Sequence, residues 1–223
     1  TSDFFLNQQK LGIGSSAALS VATHHGLADM LKLPANLNDS LEIHSNWQSG
    51  SGSGLDVATS WSGGVIQYEK ADQPIIKPFC LPKELLWQVV WTGKSSSTKD
   101  HLARFNSLER QNIKEAIENL CVAADLLTHK TIDLELIQNY TDCLKEFDSK
   151  GDLKIFTTEH ERLVKIASQL GLVYKPCGAG GGDIGIAFGF NQELIDEFKK
   201  NLNEHGFLAM DMEIAQDGVR TTR

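Results

Sequence analysis

The sequence predicts a protein of mixed helix and strand, divided into two halves near residues 82–85. Apolar residues spaced at three and four predict a helix-rich stretch between Asp100 and Gly171. Short apolar runs bounded by turn residues predict strands at Val65–Tyr68, Leu85–Trp91 and Ile184–Phe188. Two glycine-rich loops, at residues 10–18 and 175–183, adjoin such elements and suit close approach of backbone to a ligand.

Phe4, Phe5 and Leu6 read as the end of a strand whose partners are absent, and Thr1 is not Met. The expectation is an N-terminally shortened piece of a longer chain. Ala17–Leu31, rich in Ala and Leu, is a helix with Ser15 and Ser16 as N-caps, and Pro34 marks the break after it. A short helix covers Leu37–Trp47. Residues 49–54 alternate Gly and Ser and form a loop. Asp56 follows it, and Val57-Ala58 resume an ordered element. Gly63-Gly64 is a turn before the strand at Val65–Tyr68. Gln73–Pro82 contains three prolines and reads as a connection or an irregular edge.

Leu85–Trp91 has strand length, Gly93–Lys99 is a polar loop, and a helix begins near Asp100. Ile113, Ile117, Leu120, Ala124 and Leu127 mark one buried helical face. Ile137, Tyr140, Leu144 and Phe147 mark a second. Leu163, Ile166 and Leu170 mark a third, ending at Gly171, a suitable C-cap. After the second glycine loop come a strand (Ile184–Phe188), a helix (Gln192–Asn203) and a last strand (Phe207–Ile214).

The 41% hydrophobic and 22% charged composition is that of a globular protein. A net charge of −8 weighs against general nucleic-acid binding. Cys80, Cys121, Cys143 and Cys177 are scattered and form no Cys-x-x-Cys pair, which argues against a metal cage or redox pair and for a reducing, cytoplasmic setting. No apolar run is long enough for a membrane span, and no signal peptide is visible.

The first loop, Lys10-Leu11-Gly12-Ile13-Gly14-Ser15-Ser16-Ala17-Ala18, runs into a helix, whose N-terminus offers unpaired N–H groups and a positive dipole end. Gly12 and Gly14 let backbone wrap a phosphate, Ser15 and Ser16 add hydroxyls, and a serine hydroxyl can ligate magnesium. A plain loop-to-helix turn with a serine cap explains the same string. Asp56 can be a catalytic base, a metal ligand, a positioning group or a helix cap. Lys94, the three serines after it and Thr98 are fitting donors for a phosphate or carboxylate, or form a solvated loop. His24, His25 and His44 lack partners at metal-ligand spacing and read as structural. Trp47, Trp61, Trp87 and Trp91 read as core or rim packing, and Lys199-Lys200 as a solvated helix face. Two loops of this kind, one opening a helix, suggest a triphosphate nucleotide and a kinase.

Together these strings resemble the GHMP kinases, the superfamily of galactokinase, homoserine kinase, mevalonate kinase and phosphomevalonate kinase. Gly12-Ile13-Gly14-Ser15-Ser16-Ala17-Ala18 resembles the phosphate-loop motif and Gly178-Ala179-Gly180-Gly181-Gly182 the C-terminal glycine motif. The phosphomevalonate kinase branch is the nearest in pattern. Gln48–Ala58 resembles its Gly-Ser-Gly-Phe-Asp-Val-Ala stretch, Trp91–Thr98 its Trp-Thr-Gly-x-x-x-Ser-Thr loop, and Lys175–Ala187 its Lys-Pro-Ser-Gly-Ala-Gly-Gly-Gly-Asp-Cys-Gly-Ile-Ala. Cys177 departs from the usual serine. Gly50 stands where a lysine is expected, which weakens binding of an acceptor phosphate. The superfamily's first motif is missing, and its magnesium-binding glutamate has only Glu42 as a poor counterpart.

The resemblance implies an α+β, two-domain GHMP kinase fold: an incomplete N-terminal ATP-binding domain at residues 1–84, like domain 2 of ribosomal protein S5, and a ferredoxin-like C-terminal domain at 85–223. It implies ATP and Mg2+, with Gly12, Gly14, Ser15, Ser16, Ala17, Gly178, Ala179, Gly180 and Gly181 at the nucleotide and Ser16 at the metal. Ser53, Gly54, Lys94, Ser97, Thr98 and Asp183 would hold the acceptor, and Asp56 would be catalytic. The expected reaction is phosphorylation of phosphomevalonate to diphosphomevalonate by a cytoplasmic enzyme, without nucleic-acid or membrane partners and with a homodimer as the family expectation. Mevalonate kinase, a sugar or homoserine kinase, diphosphomevalonate decarboxylase and a non-catalytic nucleotide sensor are the alternatives. A phosphomonoester is largely dianionic at neutral pH, its second pKa being near ~6, so Asp56 would align or bind metal for that acceptor and act as base for an alcohol.

Overall fold

The computed structural model describes residues 4–6, 8–48, 50, 52–96 and 98–221. In chain order the elements are β1 (Phe5–Leu6), β2 (Gln9–Lys10), α1 (Ser15–Leu31), α2 (Leu37–Trp47), α3 (Leu55–Ser62), β3 (Ile66–Glu69), β4 (Ile75–Pro78), β5 (Leu86–Trp91), α4 (Thr98–Asn106), α5 (Arg110–His129), α6 (Leu134–Gly151), α7 (Thr158–Gln169), β6 (Val173–Pro176), β7 (Ile184–Gly189), α8 (Gln192–Glu204) and β8 (Leu208–Met210). The chain forms two compact units, one of residues 1–13 and 82–212 and the other of residues 14–81 and 213–223.

The larger unit is built on a four-stranded sheet of order β6-β7-β5-β8, in which every neighbouring pair is antiparallel. With helices between β5 and β6 and α8 between β7 and β8, this is the βαββαβ, ferredoxin-like arrangement. β5 is central and mostly apolar because it is covered: Val89, Val90 and Trp91 are all buried, and so is Gln88, whose Nε2 donates to the Val89 and Met210 carbonyls. Leu163, Ala167, Phe198 and Leu202, from α7 and α8, close over Val90, Tyr174 and Ala187 to make the core. Helix α7 ends as the glycine predicts. Gly171 takes φ 69°, and the Leu172 N–H returns to the Ala167 carbonyl at 3.0 Å. Helix α8 presents a strongly one-sided face, burying Ile195, Phe198 and Leu202. Phe5-Leu6 is not a strand end without a partner. It pairs with Gln9-Lys10 in a short hairpin.

The smaller unit packs α1, α3 and the chain's final segment around Ala17, Val21 and Val57, with Trp61 and Val219 against them. The Gly64 N–H donates to the Ala215 carbonyl at 2.7 Å and the Val219 N–H to the Trp61 carbonyl at 3.2 Å. This explains why the last strand is only three residues long instead of reaching Ile214: the chain leaves the sheet after Met210 to serve the smaller unit. Residues 75–78, expected to be irregular, form a strand in full register with β3. Pro74 and Pro78 flank it at an edge, where the missing N–H groups cost no ladder bond. Ser15 and Ser16 do not cap α1. Gly14 holds the cap position at φ 75°, a conformation a serine adopts only with strain, and no side chain caps the helix. Trp47 is 65% exposed, not packed in a core.

Candidate functional site

In the larger unit, residues 177–183 turn between β6 and β7. Gly178, Gly180, Gly181, Gly182 and Asp183 all have positive φ. Besides the Asp183 carbonyl, which accepts from the Thr92 N–H at 2.9 Å and Thr92 Oγ1 at 3.0 Å, four contacts pin the loop. The Gly180 carbonyl accepts from Ser96 Oγ at 2.7 Å, and the Gly181 N–H donates to the Ile155 carbonyl at 2.9 Å. The Gly182 carbonyl lies 3.0 Å from His160 Nε2, and the Asp183 N–H donates to the Lys94 carbonyl at 2.7 Å. Among the described residues, the N–H groups of Gly178, Ala179 and Gly182 donate to no protein acceptor. Such a run of uncommitted N–H groups in left-handed turns is an anion-binding concavity. Side chains are excluded by close packing. A Cβ on Gly180 would lie 2.5 Å from Ile155, and one on Gly181 2.0 Å from His101 Nε2.

Asp183 faces the approach from Gly12, where a Cβ would lie 2.1 Å from its Cγ. Its Oδ1 accepts from the Ser96 N–H at 3.0 Å. Burial pushes the Asp183 carboxyl above the usual carboxylate range, against the pull of that N–H and of Lys10 and His101. Lys94 Nζ pairs with Glu159 Oε1 at 2.5 Å, and this hydrogen bond holds the Glu159 carboxyl below its usual range. An incoming anion must therefore share Lys94 with Glu159. Ser97 lies outside the described residues, and Thr98 opens α4.

In the smaller unit, α1 begins with uncapped N–H groups behind Gly14, with Ser15, Ser16 and Ala17 in its first turn. Asp56, in the first turn of α3, sits against Gly14: a Cβ there would lie 3.7 Å from the Asp56 carboxyl carbon. Asp56 does not cap α3. Gly54 does, at φ 85°. Ser16 Oγ is 3.4 Å from His44 Nε2, long enough to leave its lone pairs open to a metal. Burial lowers the His44 pKa, and the Asp56 charge opposes this. His44, read as structural in the sequence, thus stands beside both predicted functional side chains. Ser53 is held by its own turn. Its Oγ accepts from the Leu55 N–H at 3.2 Å and its carbonyl from Tyr68 at 3.0 Å. Ser53, Gly54, His44, Glu42 and Lys70 line a polar cavity of about 400 Å³. Among the described residues no group of three or more His, Cys, Asp or Glu forms a metal cage.

Sequence reasoning named Ser96 only as one of three donor serines, and missed Glu159, His160 and Asp148, whose carboxylate accepts from the Ile155 and Phe156 N–H groups. These last three carry no local motif, because their roles arise from elements distant in sequence.

The larger unit thus carries a pinned glycine loop on a ferredoxin-like sheet, and the smaller unit a helix that opens at an uncapped glycine. Residues 8–64 match the GHMP kinases N terminal domain family, and the chain as a whole carries the fold of that superfamily. The chain is 28% identical over 214 residues to a phosphomevalonate kinase of Streptomyces sp. strain CL190, covering 80% of this chain and 57% of that protein. It is 29% identical over 225 residues to a mevalonate kinase of Thermococcus gammatolerans, covering 94% of this chain and 64% of the other. Among solved structures, Streptococcus pneumoniae phosphomevalonate kinase in complex with phosphomevalonate and AMPPNP superposes with a TM-score of 0.71 at 21% identity, covering 94% of this chain and 70% of that one. The chain thus spans about three-fifths of the length of the first two. No helix among the described residues is long and apolar enough to cross a membrane.

Proposed function

We propose that the protein transfers the γ-phosphate of ATP to phosphomevalonate, giving diphosphomevalonate. The observation that carries the kinase reading is the loop 178–183, with its uncommitted N–H groups and with backbone at Gly180 and Gly182 too close to Ile155 and Lys94 to admit a Cβ. Support for this acceptor comes from the strings around Trp91–Thr98 and Lys175–Ala187 and from the relatives named phosphomevalonate kinase.

The N-terminus of α1 and the hydroxyls of Ser15 and Ser16 bind phosphate oxygens, and the glycine loop supplies further N–H donors. Ser16 would be the protein ligand of Mg2+, which would supply charge neutralisation on the transferred group. Lys94, Ser97, Thr98 and Asp183 hold the acceptor, with Ser53 and Gly54. Asp56 aligns the acceptor. A phosphate acceptor is already a nucleophile near neutrality, so Asp56 removes no proton from it.

Mevalonate is the second acceptor to weigh, because several relatives of similar identity are named mevalonate kinase. With an alcohol, Asp56 beside the α1 N-terminus becomes the base. The deciding measurement is ADP release with ATP and magnesium on phosphomevalonate, mevalonate, homoserine and galactose, with carbon dioxide release followed on diphosphomevalonate. Turnover on phosphomevalonate alone is expected. Turnover on mevalonate alone would transfer the assignment to the alcohol, and carbon dioxide release would make the protein a decarboxylase.

A further inference from the structure

We propose that His160 is a positioning residue of the nucleotide site, a buried clamp that fixes the Gly182–Asp183 peptide and so presets the loop before any ligand binds. The proposal rests on the reading of residues 178–183 as a phosphate-binding loop. His160 lies in the first turn of α7 and is fully buried, on the same helix as the buried Leu163, Ile166 and Ala167. A leucine would fill that space without a polar group to satisfy. The imidazole is accommodated because both nitrogens are engaged, Nδ1 at 2.9 Å from the Tyr174 hydroxyl and Nε2 at 3.0 Å from the Gly182 carbonyl. A carbonyl only accepts, so Nε2 carries the proton and the Tyr174 hydroxyl donates to Nδ1. Tyr174 is buried in turn, and its hydroxyl occupies the space a Cβ on Gly185 would fill, at 2.0 Å. The chain Gly185–Tyr174–His160–Gly182 therefore runs from the sheet to the loop through groups that have little room to move.

The loop needs such a clamp. Glycine backbone is the most mobile in the unbound state, and Gly182 sits at φ 145° between Gly181 at 75° and Asp183 at 53°. Of the four pins described above, two are backbone and two are side chains, Ser96 and His160. Ser96 is only partly buried, on a polar loop, while His160 is anchored in the core. With the Gly182 carbonyl held by His160 and the Asp183 N–H held by Lys94, the peptide between them is fixed at both ends. That orientation fixes one side of the Gly182 α-carbon and the backbone from which the Asp183 carboxylate projects. The ring is not an acid–base catalyst. Burial lowers its pKa to about 4, helped by Lys175 and opposed by the Gly182 bond and by Glu159 and Glu161, so it stays neutral near pH 7.

The test compares binding of AMPPNP by the wild type, His160→Leu and His160→Gln, each first shown to be folded. Gln keeps an N–H for the Gly182 carbonyl, and Leu keeps only the volume. Leu is expected to weaken AMPPNP about tenfold, the size of one buried hydrogen bond, with Gln within about threefold of wild type. Wild-type affinity in folded His160→Leu, or equal loss in both variants, overturns the clamp. Gly180→Val separates this from the underlying reading. If it leaves AMPPNP binding intact, the loop is not the nucleotide site, and the histidine 1H–15N spectrum then decides the clamp alone. A neutral Nε2–H tautomer persisting to about pH 4 supports it. An Nδ1–H tautomer, or titration at the ordinary histidine value, overturns it.

Discussion

Lys94 shows how a residue that suits an anion in the sequence can be engaged by its surroundings. Its charge is shared with Glu159 at 2.5 Å, although the Lys94 side chain is 62% exposed. Glu159→Gln should release it and lower the KM for a phosphorylated acceptor by a few-fold, the scale of an exposed ion pair, with kcat little changed; steady-state kinetics on phosphomevalonate checks this. Asp56→Asn should cut kcat by two or more orders of magnitude, roughly, on an alcohol acceptor and by less on a phosphate. An unchanged rate on every acceptor would remove Asp56 from the mechanism. His160 gives a pH prediction. Its folded pKa is lowered to about 4 from an ordinary 6.5, so its contribution to stability is complete above about 6.5 and is lost as pH falls through about 4. Denaturant titrations should show on the order of 3 kcal/mol lost over that window, and His160→Leu should flatten the slope. The glycines of the second loop were legible in the sequence because a positive φ leaves a composition signal. His160 was not, since nothing adjacent to it says that Tyr174 and Gly182 will meet it.

At the scale of elements, the segment between α6 and α7 supports the glycine loop from below. Asp148, buried near the end of α6, accepts from the Ile155 N–H at 2.9 Å and the Phe156 N–H at 2.8 Å, one with each carboxylate oxygen. Ile155 in turn accepts from Gly181 and abuts Gly180. Asp148→Ala strands two N–H groups and should destabilise the larger unit by about 2–4 kcal/mol, with weaker AMPPNP binding as a secondary effect. Thermal unfolding with a parallel binding assay measures both. Helices α5, α6 and α7 were readable from spacing because one buried face repeats along each of them. β4 was not, because its three-proline context looks irregular until β3 supplies the partner. The α1 cap was misread for a related reason. Serine is the better cap by side chain, but the backbone there takes a conformation that suits glycine.

For the whole molecule, both ends of the chain cross the boundary suggested near residues 82–85. Residues 1–13 join the larger unit and residues 213–223 the smaller. Val219 packs on the Ala17, Val21 and Val57 cluster, and a Cβ on Gly63 would lie 2.4 Å from the backbone of Asp217. Ending the chain at Met212 should therefore lower amide exchange protection in α1 and α3 while leaving β5 and β7 protected. Equal loss of protection in both units would refute independent support of the smaller unit by this segment.

Composition, periodicity and glycine placement by themselves determined a chain of mixed helix and strand, most helices, the three main strands and the two glycine-rich loops, and the motif resemblance added the α+β class. These are properties of short stretches, fixed by local sterics and by which side of an element meets water. Only the tertiary structure decided that Gly14 rather than serine opens α1, that Asp183 stands against Gly12 in a desolvated place, that Lys94 is tied to Glu159, and that His160 holds Gly182. Each of these depends on groups brought together by the sheet order and the helix packing. The physical reason is that hydrogen bonds and burial act across space, and separation along the chain leaves no local trace of them.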